Sequence, residues 1–331
     1  MDGMDGGPLN FTQQTAFEAM REAFAGKEDP EDVRFPLDDR CLLRYLIARN
    51  FDFKKAEKML SNTLIWRAEF GVKRIHTKEY MSKIQKENAT GKIYLRGFDN
   101  EGHVIMYMRP RYENTFEHEG NVMHLVYQLE RAVACMVQKY EDQQLQQTDN
   151  ENAPKLQEKL CLLVDYAGYS LYNAPPMKTS NAILDILQNH FPERLYKGYC
   201  INPPWIFSGF WKLISPFIDI KTKTKVIMVT GISQPSDISD KLNTDSQGAV
   251  TVDCIEKDLG GAVGFDVNYE THGDVNIDNK NGSGEFMEGQ PSFSCARYLG
   301  YKFENDTSSV LSREIDIKAK YAFSYEYSKF E

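Results

Sequence analysis

The sequence has no run of the ~18 apolar residues that a membrane-spanning helix needs. Its most apolar stretch, residues 205–218, is broken by Lys212, so a helical anchor is not expected. It also lacks a CxxC pair. The six cysteines, Cys41, Cys135, Cys161, Cys200, Cys254 and Cys295, are scattered with no histidine at metal-ligand spacing, which argues against a metal site and predicts mostly buried free thiols. Basic charge is in short supply: 39 Lys and Arg face 48 Asp and Glu, a net charge of −9. That balance excludes a protein that wraps nucleic acid by neutralising phosphates, though not a local basic site. The opening MDGMDGGPLN has neither the basic start nor the apolar stretch of a secretory signal, so a reducing cytoplasmic setting is expected. Catalytic signatures are missing too. No GxSxG, HExxH, GxxxxGK or strand-following GxGxxG occurs, so neither an enzyme nor a cofactor is expected, and His124 and His190 are read as helix-surface or core-edge residues.

What is present is a 331-residue chain, 41% hydrophobic, with 3 Trp, 18 Tyr and 19 Phe. That is enough apolar material for a sizeable core and enough length for two domains. Three helical segments fill the first 75 residues. The first is marked by Phe11, Phe17, Met20 and Phe24; Asp38 and Asp52 are candidate caps for the next two, and Gly71 a stop. From residue 92 the pattern changes to two short strands, 92–96 and 104–108, around the turn-like Asp99-Asn100-Glu101-Gly102. A helix is expected over 121–140 and a solvated Gln- and Asn-rich loop over 141–152. Strands at 160–164, 198–201 and 226–229 then alternate with helices at 180–190 and 205–214. Such alternation predicts right-handed crossovers and a mostly parallel sheet, an α/β fold behind a helical bundle. After Gly261 an Asn-, Asp- and Gly-rich stretch carries six acids against one lysine and reads as a linker. Beyond it Ile315, Ile317, Ala319, Tyr321, Phe323, Tyr325 and Tyr327 alternate as on one strand face.

Residues 191–226 are the most informative. On a helix over 205–214 the polar Ser208, Lys212 and Ser215 form one stripe, while Trp205, Phe207, Phe210, Trp211 and, beyond, Phe217 cover much of the rest. Two readings are open: a buried core helix, or a helix that covers an apolar cavity and touches a membrane, where Trp favours the headgroup level. Immediately beyond, Lys221, Lys223 and Lys225 alternate with Thr222 and Thr224. They form either a solvated face or the cationic cluster that a phosphorylated headgroup requires.

Five segments, LLRYLIARNFD (42–52), LLVDYAG (162–168), FPERLYKGYCINPPWIF (191–207), PFIDIKTKTKV (216–226) and LGG (259–261), resemble in order and spacing the CRAL-TRIO lipid-binding family, in particular its phosphatidylinositol transfer proteins. The resemblance covers residues 37–262. It implies an amino-terminal helical extension (1–36), a helical lobe (37–91) and a lipid-binding lobe (92–262) with a mostly parallel sheet, gated by an apolar helix. The acidic linker then spans 263–290, and the tail 291–331 has β character. Parts of that tail, 296–303 and 312–327, resemble the opening strands of a GOLD sandwich, either as strands added to another surface or as a truncated or degenerate domain.

The family's headgroup residues map onto Arg49, Glu193, Arg194, Thr222 and Lys225. The cations and the hydroxyl would serve a phosphate, and Glu193 would accept from inositol hydroxyls while holding Lys225; the alternative for Glu193 and Lys225 is an ion pair between lobes. The positions where members carrying phosphatidylcholine place tyrosines and hydroxyls fall near Leu95, Met106, Leu129, Leu160 and Leu162. A phosphocholine there would lack partners, at a cost of several kcal/mol, so the expected second ligand is a less polar lipid. The resemblance thus implies a carrier or presenter of phosphatidylinositol. The alternative is a carrier or sensor of a sterol, tocopherol or retinoid. The expected partners are a membrane surface, touched transiently, phospholipid and lipid kinases, without nucleic acid, and a monomer is expected.

Overall fold

The computed structural model describes residues 8–29, 32, 35–75, 78–88, 90–113, 115–146, 156–205, 207–215, 220–256 and 259–261. The linker 263–290, the tail 291–331, Cys295 and Phe217 lie outside them. In chain order the elements are α1 Phe11–Phe24, α2 Asp39–Ala48, α3 Phe53–Phe70, α4 Lys78–Asn88, β1 Ile93–Phe98, β2 Val104–Met108, α5 His118–Gln146, β3 Leu160–Asp165, α6 Met177–Asn189, β4 Leu195–Ile201, α7 Phe207–Ile214, α8 Ile220–Thr224, β5 Val226–Val229 and α9 Pro235–Ser246. They fall into two compact units, Met1–Ile75 with Asn181–Arg194, and His76–Ser180 with Leu195–Glu331. No helix among the described residues is long and apolar enough to cross a membrane.

The first unit is helical, and its helix starts are capped by side chains. Asn10 Oδ1 accepts the Gln13 N–H at 3.0 Å while Gln13 Oε1 accepts the Asn10 N–H at 3.0 Å. Asp38 accepts the Cys41 N–H at 2.8 Å, and Asp52 the Lys55 N–H at 3.1 Å. These bonds satisfy donors that have no partner inside the helix. Gly71, with φ +76°, ends α3 in the left-handed conformation that glycine adopts without strain. Phe17, Met20 and Phe24 of α1 share one core with Cys41, Leu42, Tyr45 and Leu46 of α2 and Ala56 and Leu60 of α3. Phe11, which spacing grouped with them, is 89% exposed at the first turn of α1. Arg67 and Asp32 are buried as a two-pronged ion pair, Nε to Oδ2 at 2.6 Å and Nη2 to Oδ1 at 3.0 Å.

The second unit carries a five-stranded sheet in the order β1-β2-β3-β4-β5, with β1 antiparallel to β2 and the other neighbours parallel. The turn between β1 and β2 is held by Asp99, whose Oδ1 accepts the N–H groups of Glu101 at 3.0 Å and His103 at 2.8 Å. One sheet face, with Tyr94, Ile105, Tyr107, Cys161, Leu163, Tyr199 and Ile201, packs with Ile238 and Leu242 of α9 and with Val250, Cys254, Ile255 and Leu259. Helix α5, which contributes nothing to that cluster, packs against β1 and β2.

Several expected boundaries are corrected. Helix α5 begins at His118 and runs to Gln146, through half of the stretch expected as a solvated loop. Helix α6 begins at Met177, and β4 at Leu195 rather than residue 198. Helices α4 and α9 were not expected. α9 has little apolar periodicity, but it starts at Pro235 behind Asp237, whose Oδ2 accepts the N–H groups of Ser233 and Gln234 at 2.8 and 3.1 Å.

Candidate functional site

Arg49 stands where α2 gives way to α3. The link is tight: Asn50 and Phe51 both adopt left-handed backbones, φ +52° and +60°, a conformation that costs roughly 1–3 kcal/mol for a non-glycine residue. Phe51 offsets this by burying its ring and by donating its N–H to the Leu46 carbonyl at 2.7 Å. The Arg49 guanidinium donates to the Ala48 carbonyl at 3.1 Å and, more weakly at 3.5 Å, to Asn189 Oδ1 of α6. Beside it opens a cavity of about 430 Å³, floored by Met59 of α3 and bordered by Asn189 and His190.

Of the two places expected for His190, helix surface or core edge, the structure shows the core edge. It is buried, stacked on Trp66 with ring centroids 4.2 Å apart, and its Nδ1 lies 3.1 Å from Thr63 Oγ1. Burial holds its imidazole below the ordinary value, with Asp185 opposing and Arg67 adding to the shift.

Glu193 and Arg194 follow in the same helical unit, both half-buried. Glu193 has φ +56°, and strain of this kind persists where the surroundings over-determine the backbone. Thr222 and Lys225 belong to the sheet unit and are also half-buried. The Lys225 N–H donates to the Thr222 carbonyl at 3.1 Å, and the Gly198 N–H to the Lys225 carbonyl at 2.9 Å, which anchors this turn to β4. Residues 220–224 are helical, so the lysines do not alternate as on a strand.

The aliphatic positions converge more than their spacing suggested. Leu95 pairs with Met106, Met106 with Leu162, and Leu162 with Gly198, so one row crosses four strands. Leu160, two residues before Leu162, shares its face. Leu95, Met106, Leu160 and Leu129 of α5 are buried and Leu162 is half-buried. Sequence reasoning missed the polar side of α5. His124, Gln128 and Arg131 are each fully buried, so His124 is not at a surface or core edge. The Gln128 amide donates to His124 Nε2 at 3.1 Å, and the Arg131 guanidinium lies over the Tyr127 ring at 5.8 Å. Their i, i+4, i+7 spacing was the available signal.

The apolar helix is shorter than expected. α7 starts at Phe207, so Trp205 stands in the turn before it, 86% exposed. Phe207 is buried, its ring 4.9 Å from that of Tyr166 and 6.2 Å from that of half-buried Trp211. Phe210 lies within α7, with its side chain outside what the structure describes.

The family model described as CRAL/TRIO domain matches residues 88–261, and that described as CRAL/TRIO, N-terminal domain, matches residues 13–62. The chain belongs to the CRAL/TRIO family. It is 34% identical over 239 residues to a CRAL-TRIO domain-containing protein of Schizosaccharomyces pombe, a match covering 72% of this chain and 20% of that one. It is 35% identical over 204 residues to phosphatidylinositol transfer protein PDR17 of Saccharomyces cerevisiae, covering 59% and 53% of the two chains. With the Sec14 cytosolic factor of Schizosaccharomyces pombe it shares 31% identity over 259 residues, covering 72% and 82%. The chain thus spans one fifth of the first of these relatives and about half of the second. Arg49 lies within the CRAL/TRIO N-terminal match, and Glu193, Arg194, Thr222 and Lys225 within the CRAL/TRIO domain match.

Proposed function

We propose that this CRAL/TRIO protein binds one phosphatidylinositol molecule and transfers or presents it between membranes. The observation that carries this reading is the 35% identity to a phosphatidylinositol transfer protein, and it is supported by the five polar residues that the family resemblance maps onto headgroup positions. The physical need is plain. Moving a diacyl lipid through water exposes on the order of 30 methylenes at about 0.8 kcal/mol each, and a protein interior removes most of that penalty. In this reading the acyl chains lie along the row of Leu95, Met106 and Leu162. Residues 205–217 form the gate that touches the membrane. Arg49, Arg194, Thr222 and Lys225 meet the phosphate, and Glu193 meets inositol hydroxyls. The protein works as a cytoplasmic monomer in transient contact with membranes, carries out no covalent chemistry and hands its lipid to another membrane or to a lipid kinase. The aliphatic row favours a sterol or isoprenoid over phosphatidylcholine as counter-ligand.

The test is exchange of labelled phosphatidylinositol between vesicles. Replacing Glu193 and Lys225 together with Ala is expected to abolish exchange while leaving the fold and apolar-ligand uptake intact, and unchanged exchange would refute the assignment. Phosphatidylcholine exchange as fast as that of phosphatidylinositol would refute the counter-ligand.

A further inference from the structure

The two faces of the sheet differ in how they are covered. Tyr199, Ile201 and Val229 point into the cluster shared with α9, so the residues that alternate with them lie on the opposite face. There one row runs Leu95, Met106, Leu162, Gly198 and Val226 across all five strands. Helix α5, which has no residue in the α9 cluster, packs against β1 and β2. Towards β4 and β5 the apolar side chains are less covered. Leu162, Leu195, Val226 and Met228 are half-buried, whereas Leu95 and Met106 are 0% and 2% exposed.

Gly198 is the gap in that row. It stands in β4, between β3 and β5, where a glycine costs the strand backbone entropy and leaves no side chain to pack. The fold does not ask for it. Its φ is not positive, unlike that of Gly71 or Gly260. A Cβ at 198 would meet Leu195 Cδ1 at 3.9 Å and Leu162 Cβ and Cδ2 at 4.0 Å, which are ordinary contacts with nothing closer among the described residues. A glycine inside a strand that neither backbone nor neighbours require marks a place where something else comes close to the chain. The dent it leaves is apolar on every side. Leu162 of β3 and Val226 of β5 flank it two strand spacings apart, about 10 Å, with Leu195 at one end and Cys200 and Met228 at the other.

We propose that Gly198 sets the ligand specificity of this face, its missing side chain leaving a slot for a rigid fused-ring lipid of the sterol type. The inference rests on the reading that the aliphatic face holds lipid, and adds the shape that it accepts besides phosphatidylinositol. A flexible acyl chain reaches an apolar wall by rotating its bonds and needs no dent. A fused ring keeps its shape, so it makes full contact only with a surface already formed to it. A side chain at 198 therefore separates the two ligands: it fills the slot against the ring and leaves the chain a way around.

Two variants of the full chain test this. Gly198→Ala adds a methyl group at ordinary contact distance and should unfold in urea no earlier than the wild type; earlier unfolding would show that the fold needs the glycine and overturns the proposal. Gly198→Val fills the dent with a residue suited to a strand. Titration with dehydroergosterol, read by its fluorescence, should show binding to the wild type and a loss of about tenfold or more in the Val variant, the discrimination that a methylene-sized change gives in an apolar pocket. The Ala variant should lose about threefold, and carries the test if Val disrupts the sheet. Exchange of labelled phosphatidylinositol between vesicles should change by less than about threefold in either variant. A wild type that binds no sterol, an unchanged sterol affinity in a folded variant, or equal losses of sterol and phosphatidylinositol overturns the proposal. Sterol binding that the variants weaken, in a protein that never exchanges phosphatidylinositol, would instead count against the transfer reading and leave the slot standing.

Discussion

His190 is the point at which pH reaches the helical unit. Its imidazole is pressed against Trp66 and bonded to Thr63, and burial lowers its affinity for a proton below the usual value of 6.5. The unfolded chain keeps the ordinary value, so between the two the unfolded state binds more protons. His190 thus contributes stability that is fully present above pH 6.5 and is lost as pH falls from there through the folded-state value. Urea midpoints should drop between pH 7.5 and 5.5, and His190→Gln should flatten that slope; an equally steep slope in the variant would remove His190 as its source. This residue also marks a limit of reading side chains one at a time. Sequence gave no sign that His190 would be stacked and buried, because its partners Thr63 and Trp66 lie more than 120 positions away. Arg49, by contrast, was legible through the ARNFD segment. Its geometry follows from two left-handed residues and a cap that sit beside it in the chain.

Among elements, local chemistry decided what could be foreseen. Asp38 and Asp52 cap α2 and α3 where expected, because a cap needs only the residue and the turn it closes. Replacing Asp38 with Ala should cost the helical unit about 1 kcal/mol in urea unfolding, while Asn, which keeps an acceptor at the same place, should cost far less. An Ala variant with wild-type stability would show the cap to be idle. The five strands were readable from their apolar runs. Helix α9 was not, because its two buried apolar residues, Ile238 and Leu242, give one contact line and no longer period. The last six residues of α5, 141–146, were misread for a related reason: their Gln- and acid-rich composition matches a loop, and composition carries no information on whether a helix already nucleated upstream will propagate. The LGG motif, read as a family mark, has a steric cause. A Cβ on Gly260 would strike the Pro235 backbone, and one on Gly261 the Ile255 carbonyl, so the chain can turn close to α9 only without side chains.

At the scale of the molecule, the sheet is closed by a segment far from it in sequence. The Asn100 N–H donates to the Ala249 carbonyl at 2.8 Å. Past that point Glu256 accepts from the Tyr94 hydroxyl at 2.8 Å, Arg96 Nη1 at 2.5 Å and Arg109 Nη2 at 2.5 Å. All four side chains are buried, with Arg109 only 1% exposed. Glu256 therefore faces two guanidiniums taken out of water, of which Arg109 also lies 3.7 Å from Asp165 Oδ2, while Val250, Ile255 and Leu259 on the same segment complete the apolar cluster below the sheet. Removing one partner of a buried ion pair leaves the other charge uncompensated, which costs about 3–5 kcal/mol, more than the pair is worth over an apolar substitute. Glu256→Gln keeps the shape and removes the charge, so it should destabilise the sheet unit by about that amount in urea unfolding. Adding Arg96→Met should recover part of the loss, because the guanidinium that remains, Arg109, still has Asp165 beside it. If Glu256→Gln unfolds at the wild-type midpoint, the segment is held by its apolar residues alone and the ionic cluster contributes nothing to closure.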